Sequence, residues 1–434
     1  MARVALHTLG CKLNFAETSS LGGQFLDRGY EVVPFGEPAD VVLLNTCSVT
    51  ERADRECRQL IRRALRKSPE AFVVVTGCYA QLAPEEVASM DGVDLVLGTK
   101  EKFSVFEYAQ GFRKEAVPRL HVSDVGTADT FGPAMSTTAG DRTRGYLKVQ
   151  DGCDYHCSFC TIPLARGESR SQPVAECVAQ AQELVRRGFK EIILTGVNVG
   201  DYGRKDGENL LGLMKSLVHV DGLRRIRISS IEPNLLTPGL LEFVASQEVM
   251  CKHFHIPLQS GSEGVLRRMR RRYTAGQYAD LIHRVRHRLP GCGIGVDVIV
   301  GFPGETAAEF DETYRFLSDL PVSYLHVFTY SERPHTPAAG MDARVIPHDR
   351  ASRNTMLRML SERKRMAWCR EAVGTHVDVL TESTVDEGLR YGFTDTFLRV
   401  GVPADGIPEN VLARVKISGA HAERCSGEVE EIIG

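Results

Sequence analysis

No apolar run in this 434-residue sequence approaches a membrane span. Val41–Leu44 and Phe72–Val75 are strand-length, whereas a spanning helix needs about 20 consecutive apolar residues. The opening segment, Met1-Ala2-Arg3-Val4-Ala5-Leu6-His7-Thr8, has neither the apolar core nor the cleavage site of a secretory signal. No charge sign dominates: a net charge of −3 gives no general signal for nucleic acid. Twelve cysteines in a chain of this length do not form the pattern of a disulfide scaffold. What remains is an ordinary soluble globular composition, 43% apolar and 25% charged, with room for two or three domains. The expectation is a cytoplasmic protein without a membrane partner, in a reducing compartment where clustered thiols ligate metal.

The densest cluster is Gly152-Cys153-Asp154-Tyr155-His156-Cys157-Ser158-Phe159-Cys160, a C-x3-C-x2-C spacing. Three thiols in eight residues let one loop wrap the corner of an iron–sulfur cube. A [4Fe–4S] cluster takes four ligands, so a three-cysteine loop leaves one iron open to a small molecule. The competing reading is a zinc knuckle, which needs a fourth Cys or His. His156 is constrained within the loop, and no C-x2-C partner occurs elsewhere. The spacing, with Phe159 just before the last cysteine, resembles the radical S-adenosylmethionine (SAM) enzymes. A cube with one open iron binds SAM and cleaves it reductively to a 5′-deoxyadenosyl radical, chemistry that proton transfer cannot supply.

Residues 1–115 read as a domain of alternating strands (Val4–Leu9, Val41–Leu44, Phe72–Thr76, Asp94–Leu97) and helices (Thr50–Lys67, Pro84–Ser89). Alternation of this kind gives a parallel α/β sheet. Cys11, Cys47 and Cys78 each lie just past a strand, where open α/β sheets form their ligand crevice, so a second three-thiol site is expected there. The competing reading is three strand-end cysteines acting as small core hydrophobes. Cys57, Cys177, Cys251, Cys292, Cys369 and Cys425 are isolated and read as structural.

Residues 116–138, rich in small and polar side chains, read as a linker. In 139–371 six strand candidates recur: Tyr146–Val149, Glu191–Thr195, Ile226–Ser229, His253–Leu258, Val296–Val300 and Tyr324–Thr329. Helices separate them, such as Pro173–Arg187, stopped by Gly188. Six βα units suggest a partial (β/α)6 barrel, with chemistry on loops at the strand C-termini. Phe159, Gly196, Asn198, Ser230, Glu232, Gln259 and Gly301 occupy such loops and are candidate SAM contacts. Arg267, Arg268, Arg270 and Arg271 form a basic run that reads either as a solvated helix face or as a phosphate patch for nucleic acid. Residues 372–434 alternate apolar and polar (Val377–Leu380, Tyr391–Val400, Val411–Ile417), as in a small all-β barrel of the oligonucleotide-binding kind. That segment carries five Lys/Arg against eleven Asp/Glu, a poor generic phosphate binder.

Over nearly its whole length the chain resembles the methylthiotransferase family of radical SAM enzymes. His7-Thr8-Leu9-Gly10-Cys11-Lys12-Leu13-Asn14 with Glu17-Thr18, Asn45-Thr46-Cys47-Ser48-Val49-Thr50 and Gly77-Cys78-Tyr79-Ala80-Gln81 are similar to the family's three cysteine motifs. Lys148-Val149-Gln150-Asp151-Gly152-Cys153 through Pro163-Leu164-Ala165-Arg166-Gly167 is similar to its radical SAM loop, and Phe328-Thr329-Tyr330-Ser331 with Pro334 and Thr336-Pro337-Ala338 to the end of its barrel.

The resemblance implies two [4Fe–4S] clusters. One, on Cys153, Cys157 and Cys160, binds and cleaves SAM; the other, on Cys11, Cys47 and Cys78, handles sulfur. A second SAM gives the methyl group, no catalytic residue is expected beyond the cluster ligands, and the C-terminal unit corresponds to the RNA-binding barrel called TRAM. Three branches act on N6-threonylcarbamoyladenosine-37 of tRNA, on N6-isopentenyladenosine at the same place, or on an aspartate of a ribosomal protein. The isopentenyl branch reads T-x-G-C-Q-M-N at its first cysteine and the ribosomal branch S-L-G-C-x-K-N. Thr8-Leu9-Gly10-Cys11-Lys12-Leu13-Asn14 and Arg166-Gly167-Glu168-Ser169-Arg170-Ser171 resemble the threonylcarbamoyl branch. The expected partners are the tRNA anticodon loop, a flavodoxin- or ferredoxin-type reductant and an unidentified sulfur donor. The different-class alternative is a non-catalytic RNA-binding protein with one structural cluster.

Overall fold

A computed structural model describes residues 1–48, 51–109, 111–127, 131–137 and 143–433. Val49 and Thr50 of the second cysteine motif and the end of the linker at 138 lie outside the described residues.

Six parallel strands build the N-terminal domain: β1 (Arg3–Thr8), β2 (Glu31–Val33), β3 (Val41–Thr46), β4 (Phe72–Gly77), β5 (Leu95–Leu97) and β6 (Arg119–His121), in spatial order β2-β1-β3-β4-β5-β6. β3 and β4 are buried at every residue, the continuous apolar pattern of strands covered on both faces. β6 falls inside the stretch that composition marks as linker. Three residues are too short for a periodic signal, and pairing with β5 is what orders them. β1, β3 and β4 are neighbours, so their C-terminal ends, and the cysteines that follow, come together.

The central domain holds six strands in two parallel halves. β7 (Arg144–Lys148), β10 (Glu191–Thr195) and β11 (Arg225–Ile228) run in the order β11-β10-β7; β12 (His253–His255), β13 (Gly293–Val300) and β14 (Tyr324–Thr329) run in the order β12-β13-β14. Backbone bonds Ile226 N→Val249 O (2.8 Å) and Cys251 N→Ile226 O (2.8 Å) join the halves into the expected partial barrel. Two further short strands, β8 (Gln150–Asp151) and β9 (Arg170–Ser171), pair antiparallel and pinch the base of the cysteine loop. The helix Val174–Arg186 starts after Pro173 and ends before Gly188, whose φ of 93° supplies the left-handed turn.

At the C-terminus β15 (His376–Asp386), β16 (Leu389–Thr394), β17 (Arg399–Pro403), β18 (Leu412–Ala420) and β19 (Cys425–Ile432) close a five-stranded barrel. Tyr391–Val400, one strand by its pattern, is divided by a turn in which Phe397 adopts a φ of 73°. Tertiary packing overrides the local pattern there. The Phe397 ring sits under the central barrel, 4.8 Å from His253 and beneath the Arg227 guanidinium at 5.1 Å.

Candidate functional site

Each of three cysteines follows a glycine that only glycine can be. Gly10, Gly77 and Gly152, before Cys11, Cys78 and Cys153, have φ of 99°, 97° and 70°. A Cβ on Gly10 would stand 2.6 Å from the Cβ and 2.8 Å from the Sγ of Cys47, so the first two loops touch at the place where the thiols meet. A Cβ on Gly77 would strike Thr46 O at 2.4 Å, which brings the Cys78 loop against the Cys47 loop. Asn14 ties the loops: its Nδ2 donates to Leu9 O (2.8 Å) and Thr46 O (3.0 Å), while Asn45 Nδ2 donates back to Asn14 O (3.0 Å). Cys47 and Cys78 are buried and Cys11 is exposed at the N-terminus of the helix Lys12–Asp27. Three unbridged thiols with an open side are a donor set that fits a cluster.

In the second loop the backbone and one side chain turn donors toward sulfur. Tyr155 N points to Cys153 Sγ (3.4 Å), Ile162 N to Cys160 Sγ (3.4 Å), and Arg271 Nη1 to Cys157 Sγ (3.1 Å). Donors of this kind stabilise thiolates and their clusters. Burial pushes the Cys153 and Cys160 thiols up to about 12; a cation at this loop would be needed to hold them as thiolates. His156 is exposed, and none of the twelve cysteines is disulfide-bonded. Gln150 braces the loop from β8, donating to Gly152 O (2.8 Å) and Ser169 Oγ (2.9 Å) while accepting from Asn198 N (2.8 Å).

The two thiol sites are joined through a buried ionic cluster that sequence reasoning missed. Glu17, from the N-terminal domain, meets Arg166 (2.9 Å), Lys148 (3.1 Å) and Lys102 (2.8 Å). Asp151, two residues before Cys153, meets the same Arg166 (2.9 Å) and Lys148 (2.7 Å). Arg166 Nη2 also donates to Asn14 Oδ1 (2.6 Å). Burial alone would raise the Glu17 carboxyl, but Arg166, Lys102 and Lys148 more than offset it and hold it well below its ordinary value. The motif residues Asn14, Glu17, Asp151 and Arg166 were the available signal; nothing in their spacing says that they converge.

All the strand-end turns singled out from the sequence lie at the C-terminal ends of β10 to β13, on the side of the cysteine loop. Phe159 and Gln259 line a cavity of about 190 Å³ with Cys160, Asp297 and Phe328. Both polar atoms of the Asn198 side chain, and Gln259 Oε1, are buried without a protein partner, as expected of groups kept for a ligand. Gly196 allows close passage over Gln150, whose Oε1 would be 2.8 Å from a Cβ there. Ser230 is half-buried in the turn after β11. Gly301 instead packs on Arg350, 2.4 Å from its Cγ to a built Cβ. Glu232 is ion-paired with Arg271.

The arginine run does not form one surface patch. Its helix ends at Arg268, which forks onto Glu309 (3.0 Å to each oxygen). Arg270 takes a φ of 58° and Arg271 turns inward to Cys157 and Glu232, with 3% of its side chain exposed. Only Arg267 and Arg270 of the four are exposed. Helical periodicity fails here because the chain leaves the helix in mid-run.

A C-x3-C-x2-C loop at the mouth of a six-stranded parallel partial barrel defines a radical SAM enzyme, here with a second thiol site at its side. Residues 3–98 match the family described as "Uncharacterized protein family UPF0004" and residues 147–317 match the radical SAM superfamily. A threonylcarbamoyladenosine tRNA methylthiotransferase, MtaB, of Bacillus subtilis is 42% identical over 100% of this chain and 97% of its own length. One so named from Aquifex aeolicus is 38% identical over 87% of this chain and 92% of its own. The tRNA-2-methylthio-N(6)-dimethylallyladenosine synthase of Symbiobacterium thermophilum is 33% identical over 99% and 94%. Among solved structures, the radical SAM methyltransferase TsrM from Kitasatospora setae is alike in fold, with a TM-score of 0.58 at 17% identity, covering 90% of this chain and 81% of that one. The chain belongs to the radical SAM methylthiotransferase family. Such an enzyme holds a [4Fe–4S] cluster and uses SAM.

Proposed function

We propose that this enzyme transfers a methylthio group to C2 of N6-threonylcarbamoyladenosine at position 37 of tRNA, using SAM both as radical source and as methyl donor. The observation that carries the reading is full-length similarity to enzymes named for that nucleoside, joined to a second three-thiol site beside the SAM loop. Cys153, Cys157 and Cys160 hold the SAM cluster, and Cys11, Cys47 and Cys78 hold a second one. When bound, the first supplies an electron for cleavage of SAM and the second carries sulfur.

The protein's part is placement. Asn198 and Gln259, with their unpartnered polar atoms, and the backbone at Gly196 would contact SAM, and Phe159 and Ser230 would border it. Glu232 and Gly301 act one contact further back, through Arg271 and Arg350. Arg271 presents its charge to Cys157 and stabilises the thiolate. The Glu17–Arg166–Asp151 cluster ties the two thiol sites together and would hold their groups at a set spacing. Exposed Arg267 and Arg270 are available to tRNA phosphates, and a small reductant of the flavodoxin or ferredoxin type supplies electrons. The units doing this work are 1–115, 139–371 and 372–434, joined by 116–138.

Mass spectrometry of tRNA nucleosides from a deletion strain tests the reading. Loss of the 2-methylthio derivative of threonylcarbamoyladenosine is expected, and restoration by the intact gene. An undiminished level, in a strain with no second such enzyme, would overturn it.

A further inference from the structure

Lys12 is adjacent to Cys11, yet its ammonium leaves the N-terminal domain and enters the central barrel. Its Nζ lies 5.8 Å from the centre of the Phe397 ring, the plug beneath that barrel. It is close enough to feel the charges of Arg144, Arg227, Glu191 and Asp297. Each of those four already has a partner. Arg227 is forked onto Glu191 (2.7 and 3.2 Å), Arg144 pairs with Glu382 (2.9 Å), and Asp297 pairs with His255 (2.8 Å). Among the described residues no carboxylate lies within ion-pairing distance of Lys12. It is a half-buried cation left over after the chamber's other charges are matched. A cation held in a largely enclosed space is costly unless something anionic arrives.

Aromatic and hydrogen-bonding groups lie near this cation. His326 and Phe328 project from the same face of β14, two residues apart, and both are exposed. His326 lies edge-on to His255 at 5.4 Å. His255, Asp297 and His326 bring their polar atoms within 4.8 Å of one another, so the chamber offers hydrogen-bonding groups beside the aromatic Phe328.

We infer that Lys12 is the specificity residue of this enzyme, pairing with the carboxylate of the threonylcarbamoyl group. The inference rests on the substrate reading above. Its geometry follows from adenine itself: C2 and C6 both flank N1, so a group carried on N6 lies along the edge that presents C2. A residue next to a thiol of the sulfur-bearing site therefore stands beside the N6 substituent when C2 faces that site. A threonylcarbamoyl group carries one negative charge; an isopentenyl group carries none. A site built around a charge discriminates strongly against the neutral analogue, because its own charge is then left unpaired.

The test uses full-length enzyme reconstituted anaerobically with iron and sulfide, and two anticodon stem-loop RNAs. One carries N6-threonylcarbamoyladenosine, the other its neutral methyl ester. Wild-type enzyme should favour the acid by about 10- to 100-fold in kcat/KM, with a parallel difference in dissociation constant. Lys12→Met should bring that ratio close to one, and Lys12→Arg should restore part of it. Iron content reports whether each variant keeps its clusters. A Lys12→Met enzyme that retains the wild-type preference overturns the inference. So does a wild-type enzyme that treats acid and ester alike, a result that needs no variant to fold and leaves the substrate reading standing. Wild-type enzyme that modifies neither RNA overturns the substrate reading, and this inference with it.

Discussion

Glu17 is a fully buried carboxylate in the N-terminal domain, and two of its three cationic partners, Lys148 and Arg166, belong to the central one. Four cations, Lys102, Lys148, Arg166 and Arg170, face the two anions Glu17 and Asp151, so the cluster keeps a net positive charge next to the thiol sites. Removing Arg166 strips charge-assisted hydrogen bonds from two carboxylates buried in low-dielectric surroundings. Arg166→Met should therefore destabilise the protein by about 3–5 kcal/mol, read from urea unfolding, because Glu17 and Asp151 lose one of the two cations they share, Lys148 being the other. A change below about 1 kcal/mol would show that the cluster is solvated in solution.

Among elements, the turn between β16 and β17 does more than close its own barrel. Phe393 and Phe397 stack at 4.7 Å, and the turn's carbonyls accept from the central domain: Arg225 Nη1→Phe393 O (3.0 Å), Arg227 Nη2→Thr394 O (3.0 Å) and Arg227 Nη1→Asp395 O (2.8 Å). His253 is caught in this seam, 2% exposed, bonded to Tyr324 Oη (2.8 Å). Burial, helped by Arg227 and Lys12, holds its imidazole well below the ordinary value. The native state therefore stays neutral there while the unfolded chain takes up a proton below its own pKa of about 6.5. The stability contributed by neutral His253 is present above that pH and is lost as the pH falls. His253→Gln keeps a polar group without titration. It should flatten the decline in unfolding free energy below about pH 6.5 by up to about 1.4 kcal/mol per pH unit. Parallel slopes in the two proteins would show that His253 is protonated when folded.

For the whole molecule, the decisive quantity is how many cubes one chain holds and which does what. Anaerobically reconstituted protein should carry about eight iron per chain, and about four would favour a single structural cluster. Cys157→Ala should abolish SAM cleavage, whereas Cys47→Ala should retain 5′-deoxyadenosine formation and lose methylthio transfer. Loss of SAM cleavage in a well-folded Cys47→Ala enzyme would defeat that division of labour. Four of the five basic side chains of the acidic C-terminal barrel already have partners within it. Arg414 pairs with Asp378, Arg424 binds Tyr391 Oη, Arg390 caps the carbonyls of Ile407 and Glu382, and Arg399 covers the Tyr391 ring at 4.4 Å.

By itself the sequence determined the parts that local spacing encodes. C-x3-C-x2-C fixes three thiols on one loop, and β-branched runs of period two or continuous apolarity mark the longer strands of each domain, while the short β2, β6, β8 and β9 and the C-terminal β19 left no such mark. Even the convergence of Cys11, Cys47 and Cys78 was legible, because parallel strands place their ends on one side. Tertiary structure alone decided what lies across domain boundaries: the Glu17–Arg166–Asp151 cluster, the Phe397 plug that divides an apparent strand, the inward turn of Arg271, and the entry of Lys12 into the barrel. Periodicity records which face of an element is buried. It carries no record of which distant charge will meet that face, because such meetings are set by how whole domains dock.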